Sequence, residues 1–162
     1  MRVAQLRDAK PLLLTDAAKL AHRNYPDTTT ASIAWLGYDA PQLDGFTWSA
    51  TDVMRDDDAK AGAPAYNRFL SGIRVTHESG SPHVTAIGHS YGSLTLGQAT
   101  QRPGGIPADH VVLVGSPGTG VDKASDLGVG ADHVWRGSSP ETFRPIRSTS
   151  ILVRVEIPWS TS

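Results

Sequence analysis

The chain has 162 residues, of which 39% are hydrophobic, so it is long enough to bury the core of one domain. Its formal net charge of -1 excludes a global field that would recruit nucleic acid or an anionic membrane. The absence of cysteine excludes disulfides, thiolate catalysis and cysteine-based zinc sites.

The amino-terminal segment, residues 1–8, lacks the apolar region and the cleavage site of a signal peptide. No apolar run along the chain is long enough to span a bilayer. We therefore expect a soluble protein that is cytoplasmic by default. A secreted protein is also compatible with the sequence if a leader is missing from the amino terminus.

The first half of the chain predicts a helix, a buried strand and a second helix. Residues 11–23 are rich in Ala, Leu and Lys, and a turn at residues 24–27 ends this helix. Residues 30–37 (TASIAWLG) are typical of a buried strand, and a long loop follows. We interpret residues 56–58 (DDD) as a solvated acidic patch rather than a metal site. An apolar face at helical spacing follows, formed by Tyr66, Phe69, Leu70 and Ile73.

The second half alternates short apolar runs with one helix. Residues 83–88 (HVTAIG) and 110–115 (HVVLVG) predict buried strands, and residues 133–137 predict a weaker strand. Residues 93–101 predict a helix that ends before a Pro-Gly-Gly turn. This order indicates βαβ units and an α/β fold class. We expect a mostly parallel sheet of about four to five strands with helices on both faces.

The most informative motif is Gly88-His89-Ser90-Tyr91-Gly92, a G-x-S-x-G pattern between a predicted strand and a predicted helix. Such a nucleophile elbow presents the serine Oγ above the sheet edge. The backbone N–H of Tyr91 is then the predicted oxyanion donor. The alternative is a glycine-rich turn in which Ser90 only caps the helix. We interpret His89, which is adjacent in sequence to Ser90, as a packing or loop-shaping residue.

Three segments resemble a family of bacterial α/β-hydrolases whose substrates are largely unknown. They are residues 34–41 (AWLGYDAP), 86–93 (AIGHSYGS) and 112–120 (VLVGSPGTG), and the resemblance extends over residues 10 to 137. It implies a partial α/β-hydrolase fold and a Ser-acid-His hydrolase that is esterase-like. Such an enzyme acts on a small-molecule acyl substrate and needs no cofactor and no metal.

The sequence departs from the pattern of this family near both ends. The family has a strand and a Pro-Gly loop that supplies a second oxyanion donor before the first helix, and neither is visible here. An Asp is expected before a Pro-Ile pair, but Arg144 precedes Pro145-Ile146. We therefore expect a chain truncated at both ends. Residues 1–141 would be an incomplete α/β-hydrolase domain and residues 142–162 an atypical tail, in which residues 151–157 alternate like an edge strand.

The fold also requires a histidine as catalytic base at the sheet edge of Ser90. Three histidines begin predicted strands, and two lie at the ends of helices that return to strand beginnings, so all five are expected at the opposite edge. These are His83, His110, His133, His22 and His77. No base is therefore expected from this chain. For the acid, Glu141 follows the last predicted strand, while Asp122 and Asp126 follow the strand at residues 110–115.

We predict a serine hydrolase of the α/β-hydrolase type with Ser90 as nucleophile, weakened by the missing base and oxyanion loop. The alternative is a non-catalytic domain that uses the fold for binding or assembly, with self-association through an exposed sheet edge. A nucleotide-binding loop at residues 115–120 is disfavoured. That segment lacks a Gly-Lys-Ser/Thr ending, and Lys123 stands where the third glycine of a dinucleotide fingerprint belongs.

Overall fold

The computed structural model describes residues 19, 22–24, 26, 28–35, 37, 51–77, 80–137 and 150–158. Residues 28, 51–56 and 150–158 are described by their backbone. The strands are β1 (Thr28–Trp35), β2 (His83–His89), β3 (His110–Val114), β4 (Val134–Gly137) and β5 (Ser150–Pro158). The helices are α1 (Thr51–Thr76) and α2 (Gly92–Thr100), and two 3₁₀ turns, Ala124–Leu127 and Ala131–His133, precede β4.

The described strands form one sheet in the order β1-β5-β2-β3-β4. Strands β2, β3 and β4 pair in parallel, as the alternation of strands and helices predicts. Strand β5 is antiparallel to both of its neighbours, β1 and β2. The predicted α/β class with a mostly parallel sheet is therefore confirmed.

The position of β5 corrects one expectation. The alternating run at residues 151–157 is a strand, but its prediction as an edge strand is wrong, because residues 151–156 of β5 pair with strands on both sides. Alternation in a sequence reports on the two faces of a strand and carries no information on how many strands flank it. Among the described strands, β1 is joined to the sheet through β5.

The described helices α1 and α2 pack against each other and against one face of the sheet. The first predicted helix, residues 11–23, lies mostly outside the described residues, although residues 22–24 are helical. The predicted loop after Asp39 also lies outside them. In the described part of the chain, no helix combines the length and the apolar character needed to cross a membrane.

The hydrophobic core lies between this sheet face and the two helices. Alternate residues of β2 and β3 are buried there, while the residues between them are half-buried or exposed. Tyr66 and Leu70 of α1 and Leu96 of α2 are fully buried in the same cluster, which confirms the predicted apolar face of α1. The ring centroids of Trp35 and Tyr66 lie 4.9 Å apart. Burial raises the pKa of the Tyr66 phenol, because desolvation disfavours its charged form.

A charged pair fixes the carboxyl end of α1 to the starts of β2 and β3. Asp109 Oδ2 accepts hydrogen bonds from Arg74 Nη2 at 2.7 Å and from the Val84 backbone N–H at 2.6 Å. Arg74 also donates from Nε to the Pro107 carbonyl and from Nη1 to the Pro82 carbonyl, each at 3.0 Å. One guanidinium therefore links three segments that are distant in sequence.

Helix α2 is also held closely at two points along its length. The side-chain amide of Asn67 in α1 donates to the carbonyls of Ala99 and Gly105 at the carboxyl end of α2. Gly97 lies directly under the loop after β3. A Cβ at this position would overlap the Thr119 carbonyl oxygen and lie 2.8 Å from the carbonyl carbon. The close approach of the loop to α2 therefore requires glycine at position 97.

We expect Gly97→Ala to lower the free energy of unfolding by about 1–3 kcal/mol, because the added methyl group forces the loop at Thr119 away from α2. Chemical denaturation monitored by circular dichroism measures this change. Gly72→Ala is the matched control, since a Cβ at this position in α1 meets no atom within 4 Å. There, alanine should raise the free energy of unfolding by about 0.5–1 kcal/mol. A Gly97→Ala chain that is at least as stable as the wild type would contradict the contact.

Removal of β5 should separate β1 from the rest of the sheet. A chain ending at residue 149 is expected to lose cooperative thermal unfolding, and backbone amides of both β1 and β2 should exchange rapidly with solvent. A chain ending at residue 158 keeps all of β5 and serves as the control, with unchanged unfolding. Protected β1 amides in the shorter chain would show that β5 is not what holds β1.

Candidate active site

Ser90 lies in the turn between β2 and α2 and has a φ of 52°. It is the one non-glycine residue with positive φ in the described part of the chain. The left-handed region costs an L-residue about 1–2 kcal/mol, so the surroundings must hold this conformation. The Ser90 N–H donates to the Val114 carbonyl at 3.0 Å, and the Ser90 carbonyl accepts from the N–H and the Oγ of Ser93.

The glycine before the turn is required by the approach of α2. A Cβ at Gly88 would lie 2.7 Å from the Ser93 Cα, closer than any real Cβ contact. Gly92, which begins α2, is buried. The sharp change from strand to helix around Ser90 is therefore possible because position 88 carries no side chain. This is the local geometry that the sequence motif predicts.

Tyr91 precedes the first residue of α2 and is buried, with 8% of its surface exposed. Its carbonyl accepts hydrogen bonds from the N–H groups of Leu94 and Thr95 at 3.0 and 3.5 Å. The Tyr91 N–H, the predicted oxyanion donor, therefore lies at the amino end of a helix beside Ser90. That end carries a partial positive charge and favours negative charge nearby.

His89 belongs to the alternate residues of β2 that lie on the sheet face opposite α2. Its Nε2 lies 4.0 Å from where a Cβ of Gly115 would sit, so the ring extends toward the beginning of the loop after β3. Burial lowers the pKa of His89, because desolvation disfavours the imidazolium form. These contacts agree with the interpretation of His89 as a residue that shapes the neighbouring loop.

Four of the other histidines lie where the strand order predicts. His83 and His110 are the first residues of β2 and β3, and His133 directly precedes β4. His77 follows α1 on the connection to β2, and its Nδ1 lies 3.3 Å from the Gly80 carbonyl oxygen. These four lie toward the strand starts, whereas Ser90 follows the end of β2. The structure does not bring any of them to Ser90.

The structure describes two of the three candidate acids, Asp122 and Asp126. Asp122 is exposed and follows Gly120, which packs beside Gln98 of α2. Asp126 lies in the first 3₁₀ turn, where its carbonyl accepts from Gln101 Nε2 at 2.7 Å. Gln101 ends α2, so Asp126 lies at the opposite end of that helix from Ser90. Glu141 lies outside the described residues.

Sequence reasoning missed a contact between histidines at the opposite edge. His83, His110 and His133 form a continuous row, with ring centroids 4.9 Å apart for the first pair and 4.7 Å for the second. The signal was the dipeptide His-Val, which recurs at residues 83, 110 and 133. Because β2, β3 and β4 are neighbours in one parallel sheet, residues at their starts become neighbours too.

The described residues contain no group of three or more His, Cys, Asp or Glu side chains placed to hold a metal ion. A surface cleft of about 400 Å³ lies near the carboxyl end of α2, lined by Asn67, Arg68, Gly104 and Pro107 among others. This cleft is remote from Ser90, which lies at the amino end of the same helix. The chemistry that the site offers is therefore a serine hydroxyl on a strained turn beside a helix start.

Comparisons with known proteins agree with this geometry. The family model described as alpha/beta hydrolase matches residues 2–150. Uncharacterized proteins of Mycobacterium bovis and Mycobacterium tuberculosis are 47% identical over 121 residues, which cover 74% of this chain and 42% of each relative. A further uncharacterized Mycobacterium tuberculosis protein is 42% identical over 129 residues, covering 79% of this chain and 18% of the relative.

The chain thus spans less than half the length of these curated relatives. No solved structure matches it. The family match covers the elbow, the preceding strand and the loop after β3, and it ends at the first residue of β5. From the strand–turn–helix geometry at Ser90 and the extent of this match, we conclude that the chain belongs to the alpha/beta hydrolase family.

Proposed function

We propose that this chain is a serine hydrolase that acts on ester-type bonds of small acyl substrates, with Ser90 as the nucleophile. The observation that carries the proposal is the positive φ of Ser90 at the turn between β2 and α2. A serine that only capped the helix would adopt an extended backbone and direct its side chain to the first helical N–H groups. Strained conformations of this kind are concentrated at active sites and ligand-binding turns.

The neighbours of Ser90 suit acyl transfer. Attack of the Ser90 Oγ on an acyl carbon places negative charge on the carbonyl oxygen, and the N–H groups at the start of α2 stabilise that charge. The Tyr91 N–H supplies one donor in this proposal. Gly88 and Gly92 leave the turn compact, so that the substrate can approach the hydroxyl at the sheet edge.

The general base is the component that limits the rate. A neutral serine hydroxyl is a weak nucleophile unless a base accepts its proton. His77, His83, His110 and His133 lie toward the other end of the strands, and His89 is directed toward Gly115. We therefore propose that hydrolysis by this chain is slow compared with a complete Ser-acid-His enzyme, with Asp122 or Glu141 as candidate acids.

A serine-directed fluorophosphonate probe tests the nucleophile. The wild-type chain should be labelled on Ser90, and Ser90→Ala should lose the label completely, because no other serine lies on a strained turn among the described residues. Ser71→Ala, which removes an exposed serine of α1, is the matched control and should label like the wild type. Mass spectrometry of the labelled peptide identifies the site.

The same variants separate labelling from turnover. Hydrolysis of short p-nitrophenyl esters should be measurable for the wild type and for Ser71→Ala, and it should fall to the uncatalysed rate in Ser90→Ala. Circular dichroism checks that both chains are folded. If wild type and Ser90→Ala are then labelled equally, Ser90 is not the nucleophile.

A second candidate function is assembly without catalysis, and the edge at β4 favours it. In the described sheet, β4 is paired on one side only, and the Trp135 side chain is 57% exposed. The Gly137 carbonyl accepts from the Gly115 N–H at 3.3 Å, so Gly137 directs its backbone groups toward β3. The preceding residue, Arg136, therefore directs its own N–H and carbonyl away from the sheet, where a second chain can pair with them.

If β4 pairs with a second copy, the mass measured by light scattering should rise with protein concentration. Arg136→Pro removes the outward N–H and should keep the chain monomeric, because proline is tolerated at the open side of an edge strand. Arg136→Ala controls for the lost charge and should still associate. A wild-type chain that stays monomeric at all concentrations argues against assembly through β4.

A further inference from the structure

The histidine row formed by His83, His110 and His133 lies at the sheet edge remote from Ser90. The proposed hydrolysis does not involve these side chains. His110 begins β3, and His133 precedes β4. His110 is registered with Thr85 of β2, so the sheet extends for about 17 Å from His110 to Ser90, given a rise of about 3.3 Å per strand residue. The row is therefore separate from the candidate active site.

The distance between two ring nitrogens indicates what the row can bind. His133 Nδ1 and His110 Nδ1 lie 3.3 Å apart. A well-formed hydrogen bond with an N–H donor is shorter, at about 2.7–3.2 Å. By contrast, two imidazole nitrogens on one tetrahedral zinc ion, each with a bond of about 2.0–2.1 Å, lie about 3.3–3.4 Å apart. The observed separation of 3.3 Å matches the separation expected for two ligands on one ion.

The backbone holds the two imidazoles in this relation. Val111 of β3 is registered with Val134 of β4, and His110 and His133 directly precede these two residues. Neighbouring strands lie about 4.7–4.9 Å apart. The two imidazole rings have centroids 4.7 Å apart. The pair is therefore arranged before any ligand arrives, which reduces the entropy lost on binding.

The Trp135 indole lies beside the pair, with Nε1 3.5 Å from His110 Nδ1. That distance is longer than a well-formed hydrogen bond, so the contact does not occupy the Nδ1 lone pair. An imidazole binds a metal ion through Nδ1 when its proton is on Nε2. His133 is exposed, so its Nε2 can direct that proton toward water.

The neighbouring groups do not join the pair. Asp109 Oδ2 is engaged by Arg74 Nη2 and by the Val84 N–H, and His83 Nδ1 lies 3.7 Å from the same carboxylate oxygen. This agrees with the absence of a group of three or more metal-binding side chains in the described part of the chain. Water must therefore fill the remaining coordination positions of any ion bound there.

We infer that His110 and His133 form a two-ligand site for a divalent transition-metal ion that prefers imidazole nitrogen, such as Zn²⁺, Ni²⁺ or Cu²⁺. Ca²⁺ and Mg²⁺ do not fit, because they require oxygen ligands. The ion joins the starts of β3 and β4 and so holds β4 to the sheet. Because the folded chain alone presents both nitrogens together, bound metal raises the thermal unfolding midpoint.

The test is a titration of the untagged, chelator-treated chain with Cu²⁺ at neutral pH, followed by tryptophan fluorescence and by thermal unfolding. Bound Cu²⁺ quenches the nearby indole of Trp135, so the wild type should show saturable quenching that Zn²⁺ reverses. Trp135→Phe should lose this quenching but keep the rise in the unfolding midpoint. The midpoint therefore reports binding independently of the indole.

Three variants identify the ligands. His110→Gln and His133→Gln should each lose saturable binding and the metal-dependent rise in the unfolding midpoint. His83→Gln, in the same row, is the matched control and should bind like the wild type. If His110→Gln does not fold, the His133→Gln variant still tests the site, because His133 is exposed. The site is refuted by a wild type that binds no Cu²⁺, by binding retained in His133→Gln, or by equal loss in His83→Gln.

Discussion

The arrangement of this molecule depends on how closely α2 approaches the backbone around it. At Gly88 the helix backbone of Ser93 occupies the space of a side chain, and at Gly97 the Thr119 carbonyl does the same. Both contacts are steric, so no larger residue satisfies them without moving the helix. With α2 fixed, its amino end lies beside Ser90 and its apolar residues close the core over β2 and β3.

The sheet also depends on β5, which joins β1 to the parallel strands. Strands β2, β3 and β4 follow one another in the parallel order expected of βαβ units, and they carry the elbow and the histidine row. Strand β1 is joined to these strands through β5, which pairs antiparallel with both β1 and β2. The family model matches residues 2–150 and so ends at the first residue of β5.

Much of the region around Ser90 could be predicted from the sequence. Apolar runs with β-branched residues located β2 and β3 closely, and the glycine spacing of the elbow indicated the turn at Ser90, because both are local properties of the chain. The neighbours of β5 and the contact between His110 and His133 depend on pairing between distant segments. Local periodicity does not specify such pairing, and a short alternating strand such as β5 fits several positions in a sheet.

The long-range position of β5 also bears on how the chain folds. Thr28 pairs with Pro158, so β1 can join the sheet only after the distant segment that forms β5 is available. Contacts of such high sequence separation slow folding, because the loop must close before any pairing stabilises it. During synthesis, β1 and β2 would each present an open strand edge until β5 arrives. Unpaired strand edges of this kind are where a partly folded chain is prone to aggregate.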